Sequence, residues 1–136
     1  MSNIMRFGVS GTNTPIDFSK YRTVVATADQ YSKSGQVDCG NGAIEGAGIT
    51  LQASDTKNSE SNEKYWKADV YGSVDGSTWN HIYSTGTCSQ PGGGAISWGP
   101  SYIGSFVGYR YFRVTWTNHA YVYDMNARIT VAYFTE

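Results

Sequence analysis

At 136 residues the chain is expected to form one domain, 1–136, large enough to bury a core without metal or disulfide staples. A net charge of −1, with the ten basic residues scattered, excludes the basic field that would draw a protein to nucleic acid or an anionic bilayer. Only 15% of residues are charged, against about 25% in an average soluble protein, while aromatics reach 15% and glycines number 16, so strands and turns are favoured over helices.

No apolar run approaches the roughly 20 residues of a membrane helix. The first residues, MSNIMRFGVSG, lack the apolar core of a signal peptide, so any exit from the cell is expected by lysis, a special apparatus or assembly into a particle, with the virion, or the cytoplasm before assembly, as the expected location. In chain order, a strand is expected at 4–9, a turn at Pro15 and a second strand at 21–28. The glycine-rich stretch 35–48 reads as turns and bulges. A strand follows at 49–53, then a polar, charged loop over 54–64 whose tip should be exposed.

From Tyr65 the pattern sharpens. Trp66, Ala68, Val70 and Val74 fall on one face and Tyr65, Lys67, Asp69 and Tyr71 on the other, the period of two that marks a half-buried strand. Asp75-Gly76 then predicts a hairpin turn, because both residue types tolerate positive φ, and Trp79 and Ile82 begin the return. The segment Ser89-Gln90-Pro91-Gly92-Gly93-Gly94 reads as a surface connection. Arg110, Phe112, Val114 and Trp116 alternate with Tyr109, Tyr111, Arg113 and Thr115, and a last strand is expected at 127–134. About eight short strands at these turn intervals predict an all-β fold, an antiparallel β-sandwich or jelly roll.

Ser73-Val74-Asp75-Gly76-Ser77-Thr78-Trp79 resembles the S-x-D-G-x-x-W hairpin of discoidin domains, the coagulation factor 5/8 type C modules of the galactose-binding-like jelly rolls. Arg110-Tyr111-Phe112-Arg113-Val114 is similar to that family's R-Y-(V/F)-R-(V/I) strand, and Gln36-Val37-Asp38-Cys39-Gly40 echoes its Q-V-D-L-G. The likeness covers about two thirds of the chain. It departs from the family in its cysteines, since Cys39 and Cys88 are interior rather than near the two ends. Similar hairpins also recur in phage tail and adhesion modules. The resemblance implies a binding module with its contacts on loops at one end of a sandwich.

Two cysteines are compatible with one disulfide or with two reduced, buried thiols, and without a signal peptide the reduced reading is preferred. No Asn-x-Ser/Thr acceptor is present. His81 and His119 lie in no cluster of metal-ligand spacing, and the carboxylates are spread along the chain, so a catalytic pair is not expected. Residues 40–46 look like a phosphate loop but lack the spacing, the Lys-Ser/Thr and the helix that would hold an anion, and read instead as a bulged turn. No enzyme activity and no cofactor are expected. Jelly rolls of this kind sometimes hold a structural Ca²⁺ through loop carbonyls and one or two carboxylates, although no EF-hand motif supports one here.

Four Trp and eleven Tyr exceed what a small core usually consumes. Trp66, Trp79, Phe112, Val114 and Trp116 read as core, leaving Tyr31, Tyr83, Trp98, Tyr102, Tyr121 and Tyr123 to cover sheet faces or meet a ligand. Expected contact residues are Asn58 and Asn62 in the polar loop, Trp98 and Tyr102 beside Gly99-Pro100, and His119, Tyr121 and Tyr123 in a late hairpin. Trp98, placed between Gly-rich and Pro segments, should matter more to binding than to stability. The expected function is a non-enzymatic module, a bacteriophage decoration, tail or attachment component docking on neighbouring subunits as a homo-oligomer or part of a particle. A free carbohydrate-binding lectin is the alternative.

Overall fold

The computed structural model describes residues 6–9, 12–58, 65–89, 95–119, 122–123 and 125–135, with the backbone alone at 6–9, 12–15, 57–58, 119 and 122–123. Nine strands form two antiparallel sheets that face each other as a β-sandwich. The first sheet orders β10 (Ser97–Phe106), β5 (Ala47–Ser54), β13 (Asn126–Phe134) and β3 (Tyr21–Asp29) side by side. The second orders β4 (Ser34–Asp38), β11 (Tyr111–His119), β7 (Tyr65–Ser73) and β8 (Asn80–Ser84), with β9 (Cys88–Ser89) also on β7. Two small pairs flank them, β1 (Arg6–Val9) with β2 (Thr12–Pro15), and β6 (Lys57–Asn58) with β12 (Val122–Tyr123). Short 3-10 turns at Phe18–Lys20 and Asn41–Glu45 are the only helical elements among the described residues, and no helix there is long and apolar enough to cross a membrane.

Alternation of side chains sets the core. Ile49 and Leu51 of β5 and Ile129 and Val131 of β13 point inward from one sheet, meeting Trp66 and Val70 of β7 and Phe112, Val114 and Trp116 of β11 from the other. Each such side chain contributes about 1.5–3 kcal/mol by leaving water. Trp66 and Trp116 stack at 4.3 Å between centroids and 26° between planes. Their indole N–H groups need acceptors in so dry a place. Trp116 Nε1 donates to Met125 Sδ at 2.7 Å, and Trp66 Nε1 donates to Asp55 Oδ2 at 2.6 Å. Asp55, itself buried, also accepts from the Ile96 backbone at Oδ1, 2.8 Å away, while its own N–H donates to Ile96 O at 3.0 Å.

The three sequence motifs that carried the family resemblance meet on the second sheet. At the hairpin, Asp75 Oδ1 accepts from the N–H groups of Ser77 and Thr78, both at 2.8 Å, which holds its carboxyl below the usual carboxylate range. Buried Ser73 accepts from Gly76 N at 2.9 Å, and Gly76 has φ +81°, a conformation that a side chain at that position would strain. A Cβ at Gly72 would come within 2.7 Å of the Tyr109 ring, so only glycine lets that ring lie on the strand. Arg110 forks onto Asp38 at 2.7 and 2.8 Å, tying the start of β11 to the end of β4. Arg113 donates to Gln36 Oε1 at 3.0 Å and lies 4.0 Å over the Trp79 ring.

Several expectations change here. Trp79 is not core: it is half-buried at the end of the hairpin turn and serves as the platform for Arg113. Val74, expected on the inward face with Trp66, Ala68 and Val70, is exposed, because the strand ends at Ser73 and Val74 opens the turn. Within 35–48 a strand, β4, stands where only turns and bulges were expected, while 40–46 forms the anticipated turn. The segment around Gly99-Pro100 is part of β10; a register shift between Trp98 and Ser101 absorbs both residues and the strand continues. Cys39 and Cys88 are free thiols, and burial pushes Cys39 up to about 12.

Trp116→Ala should therefore cost about 3–5 kcal/mol, whereas Trp79→Ala should cost only about 1 kcal/mol, both measured by urea denaturation followed by circular dichroism. Equal losses would mean that Trp79 is buried after all.

Asp38 is held down to about 2, first by its hydrogen bonds from Arg110 and then by the Gly40 N–H. A carboxylate depressed in the folded state stabilises it above the unfolded value, and that contribution fades as pH falls from about 4 toward about 2. Asp38→Asn should lower stability at neutral pH and flatten the acid limb across that interval. A variant with an unchanged acid limb would show that the pair is broken in solution.

Candidate functional site

The outward face of the four-stranded sheet has an unusual composition. Its positions are Tyr21, Thr23, Val25, Thr27 and Asp29 on β3, Asn126, Arg128, Thr130, Ala132 and Phe134 on β13, and Gly48, Thr50, Gln52 and Ser54 on β5. Only Asp29 and Arg128 among them are charged. The registers Asn126↔Asp29 and Asn126↔Ser54 place the polar residues together at one end, while Phe134↔Tyr21 puts the aromatics at the other.

The aromatic end is built by a short turn. Asp17 caps the 3-10 turn by accepting from Ser19 Oγ at 2.6 Å and from Ser19 N at 3.0 Å, and those hydrogen bonds lower its carboxyl below the ordinary range. This presents Phe18 toward β13, with ring centroids 6.4 Å from Phe134, and Tyr21 meets Phe134 edge-on at 5.4 Å. The three rings remain 44%, 45% and 39% exposed for Phe18, Tyr21 and Phe134. Tyr102 of β10 lies over Gly48 with its hydroxyl against Ser105, and is 63% exposed.

At the polar end, two shallow depressions adjoin at Asn126. One, of about 240 Å³, is lined by Asp29, Gln30, Tyr31, Met125 and Asn126; the other, of about 230 Å³, by Gln52, Ser54, Asn126 and Arg128. Asp29 Oδ1 accepts from the N–H groups of Tyr31 at 2.8 Å and Ser32 at 2.6 Å, and Asp29 N donates to Ser32 O at 2.8 Å, which pins the turn that carries Tyr31. Arg128 donates to Gln52 Oε1 at 3.0 Å.

Most of the residues expected to make contacts converge on that same end. Trp98 is the second residue of β10, paired with Ala53; His119 ends β11 opposite Tyr65; Asn58 and Tyr123 lie on the paired strands β6 and β12. Tyr102 stands apart, in mid-strand on the outer face opposite Thr50. Asn62 and Tyr121 lie outside the described residues. Trp98 points inward, half-buried against the core, its ring 5.7 Å from that of Tyr83. It is placed there by strand alternation, since Ala53, its partner, is an inward position. Tyr31, Asn126, Arg128 and Gln52 were not singled out from the sequence as a site. The Asp-x-Tyr-Ser turn was the signal for Tyr31, and the outward parity of 126 and 128 on the last strand was the signal for the others.

His81 Nε2 donates to buried Asp69 at 2.8 Å with Tyr71 edge-on at 5.2 Å. Among the described residues no group of three or more His, Cys, Asp or Glu is placed to hold a metal ion.

No protein-family model matches the chain, and no curated protein matches it. Two solved structures do. A chain from the structure of infectious bursal disease virus, Gx strain, has a TM-score of 0.48 at 9% identity, over 96% of this chain and 38% of that one. Its counterpart from the Gt strain has a TM-score of 0.44 at 9% identity with the same coverage. The chain thus spans less than two fifths of the length of those viral chains.

Proposed function

We propose that the protein is a non-enzymatic docking module, a structural component of a virion of the bacteriophage decoration, tail or attachment kind, whose subunits meet through the aromatic end of the four-stranded sheet. The observation that carries this reading is the Phe18–Tyr21–Phe134 cluster, three rings gathered on Phe134 and left partly exposed at the end of the face whose nearby strand positions are Thr23, Thr130, Ala132 and Gly48. Exposed apolar patches of this kind are costly in an isolated subunit and mark surfaces that another protein covers. A second copy of the chain is the simplest occupant, since a sheet face of small side chains lets the same face of another subunit approach closely.

Carbohydrate binding through Trp98, the alternative suggested by the discoidin resemblance, is less well supported, because that ring is turned toward the core. Sedimentation velocity over a concentration series should reveal association of the purified protein, and the double variant Tyr21→Ser/Phe134→Ser should remain monomeric with stability changed by less than about 1 kcal/mol. A wild-type protein that stays monomeric throughout, or association that survives the double variant, would contradict the proposal.

A further inference from the structure

A sheet that ends in an unpaired strand offers that strand's backbone groups to another chain, and folded proteins blunt such edges with bulges, proline, charge or brevity. Most edges of this sandwich are blunted. β10 carries Gly99-Pro100 and two register shifts against β5, β4 has five residues, β9 has two, and β8 has five with a register shift against β7. β3 is different. It runs for nine residues without Gly, Pro or a register shift against β13. Among the described residues no strand lies on its other side, since β1 and β2 pair only with each other. Its Arg22 does not guard the edge, because Nη1 is turned back onto Ser19 O at 2.8 Å and Tyr21 O at 2.9 Å.

We infer that β3 pairs antiparallel with β3 of a second copy, joining two four-stranded sheets into one continuous sheet. This rests on the reading that a second copy is what meets the aromatic end, and it adds how the copies meet: side by side along the strand that begins with Tyr21.

Backbone geometry picks out the segment. Thr135 N donates to Lys20 O at 2.8 Å, in step with the pairing of Tyr21 with Phe134. Even-numbered residues of β3 therefore turn their backbone groups to β13, and odd-numbered ones turn theirs to the open edge. At both ends of β3 these odd-numbered groups are taken. Tyr21 N donates to Phe18 O and Tyr21 O accepts from Arg22; Thr27 O lies so close to β4 that a Cβ at Gly35 would fall 1.9 Å from it; Asp29 N donates to Ser32 O. Thr23 and Val25 lie between, with two donors and two acceptors. Set antiparallel about a two-fold axis at Val24, Thr23 of each copy faces Val25 of the other, and the two pairs exchange four hydrogen bonds with no group left over. Facing residues of a ladder share a face, so this register also carries the outward side of one sheet into the outward side of the next.

Side chains and charge favour the same strand as partner. Val25 is outward and 49% exposed, and the second copy brings Thr23 and then the ring of Tyr21 alongside it. Lys20 and Arg22 stand at the start of the segment and Asp29 at its end. Antiparallel contact sets the cationic end of each strand beside the anionic end of the other, whereas parallel contact sets like against like. Four hydrogen bonds exchanged for those with water are too weak alone to hold two subunits, and the rings beside the seam supply the apolar area that they lack.

Amide hydrogen exchange by NMR on the purified full chain, dilute and concentrated, tests the pairing directly. The amides of Thr23 and Val25 should exchange about tenfold or more slowly in the associated sample, while those of Arg22, Val24 and Ala26, already bonded to β13, are slow in both. Thr23→Pro, which removes an N–H from the open edge and none from the β13 ladder, should weaken association about tenfold or more in sedimentation velocity. Thr23→Ala should associate as the wild type does, with thermal unfolding of both variants close to wild type; if Thr23→Pro does not fold, the wild-type exchange decides alone. Association lost in Tyr21→Ser/Phe134→Ser but undiminished in Thr23→Pro, with exchange at Thr23 and Val25 unchanged, would overturn the inference and leave the aromatic docking reading standing. Association that survives the ring substitutions but is lost in Thr23→Pro would support the paired edge and remove the role of the rings. Fast exchange at Thr23 and Val25 at every concentration, the result for an edge reserved for a different chain, would overturn the inference.

Discussion

Asp55 is the residue on which the two sheets depend for their mutual placement. It leaves β5 of the four-stranded sheet, yet its carboxylate accepts the indole N–H of Trp66 from the five-stranded sheet and the backbone N–H of Ile96 that leads into β10. A buried carboxylate is tolerable only when its lone pairs are occupied, and these donors occupy them. Because Trp66 also stacks on Trp116, the Asp55 bond sets the depth at which the largest core rings sit.

A second constraint acts on the hairpin side. Arg110, just ahead of β11, and Arg113, at an outward position within it, are each matched by a residue of β4, Asp38 and Gln36. Arg113 also covers Trp79, so the hairpin, the central strand and the edge strand are joined through two guanidinium groups. These bonds lie toward solvent and each is modest, but together they fix the register of β4 on β11, which a strand of five residues with a central Gly-Gln-Val would otherwise hold loosely. The motifs that resemble discoidin domains are thus parts of the chain that help to assemble this sheet.

Much of the architecture was legible in the sequence because both sheets bury one face and the period of two survives in the residues. Trp66, Ala68 and Val70, and Phe112, Val114 and Trp116, announced β7 and β11 with the correct inward faces. β10 was illegible for a local reason: Gly99-Pro100 interrupts the pattern, and the register shift that accommodates it depends on β5 alongside. Trp79 was misread because its ring is apolar, whereas its partner, Arg113, is remote in sequence. For the candidate site, contacts were expected on loops at one end of the sandwich, whereas Tyr31 and Asn126 come together only through the β3–β13 register, which no local pattern encodes.

The two ends of the outer sheet face differ in chemistry, and the docking surface we propose is the aromatic one. That reading requires this face, and not the face carrying Tyr71 and His81, to be the one another subunit covers. Hydroxyl-radical footprinting of the concentrated, associated protein against the dilute protein tests that most directly. The account predicts that Phe18, Tyr21 and Phe134 become protected while Tyr71 and His81 react as before; protection of Tyr71 and His81 with Tyr21 and Phe134 still fully reactive would contradict it.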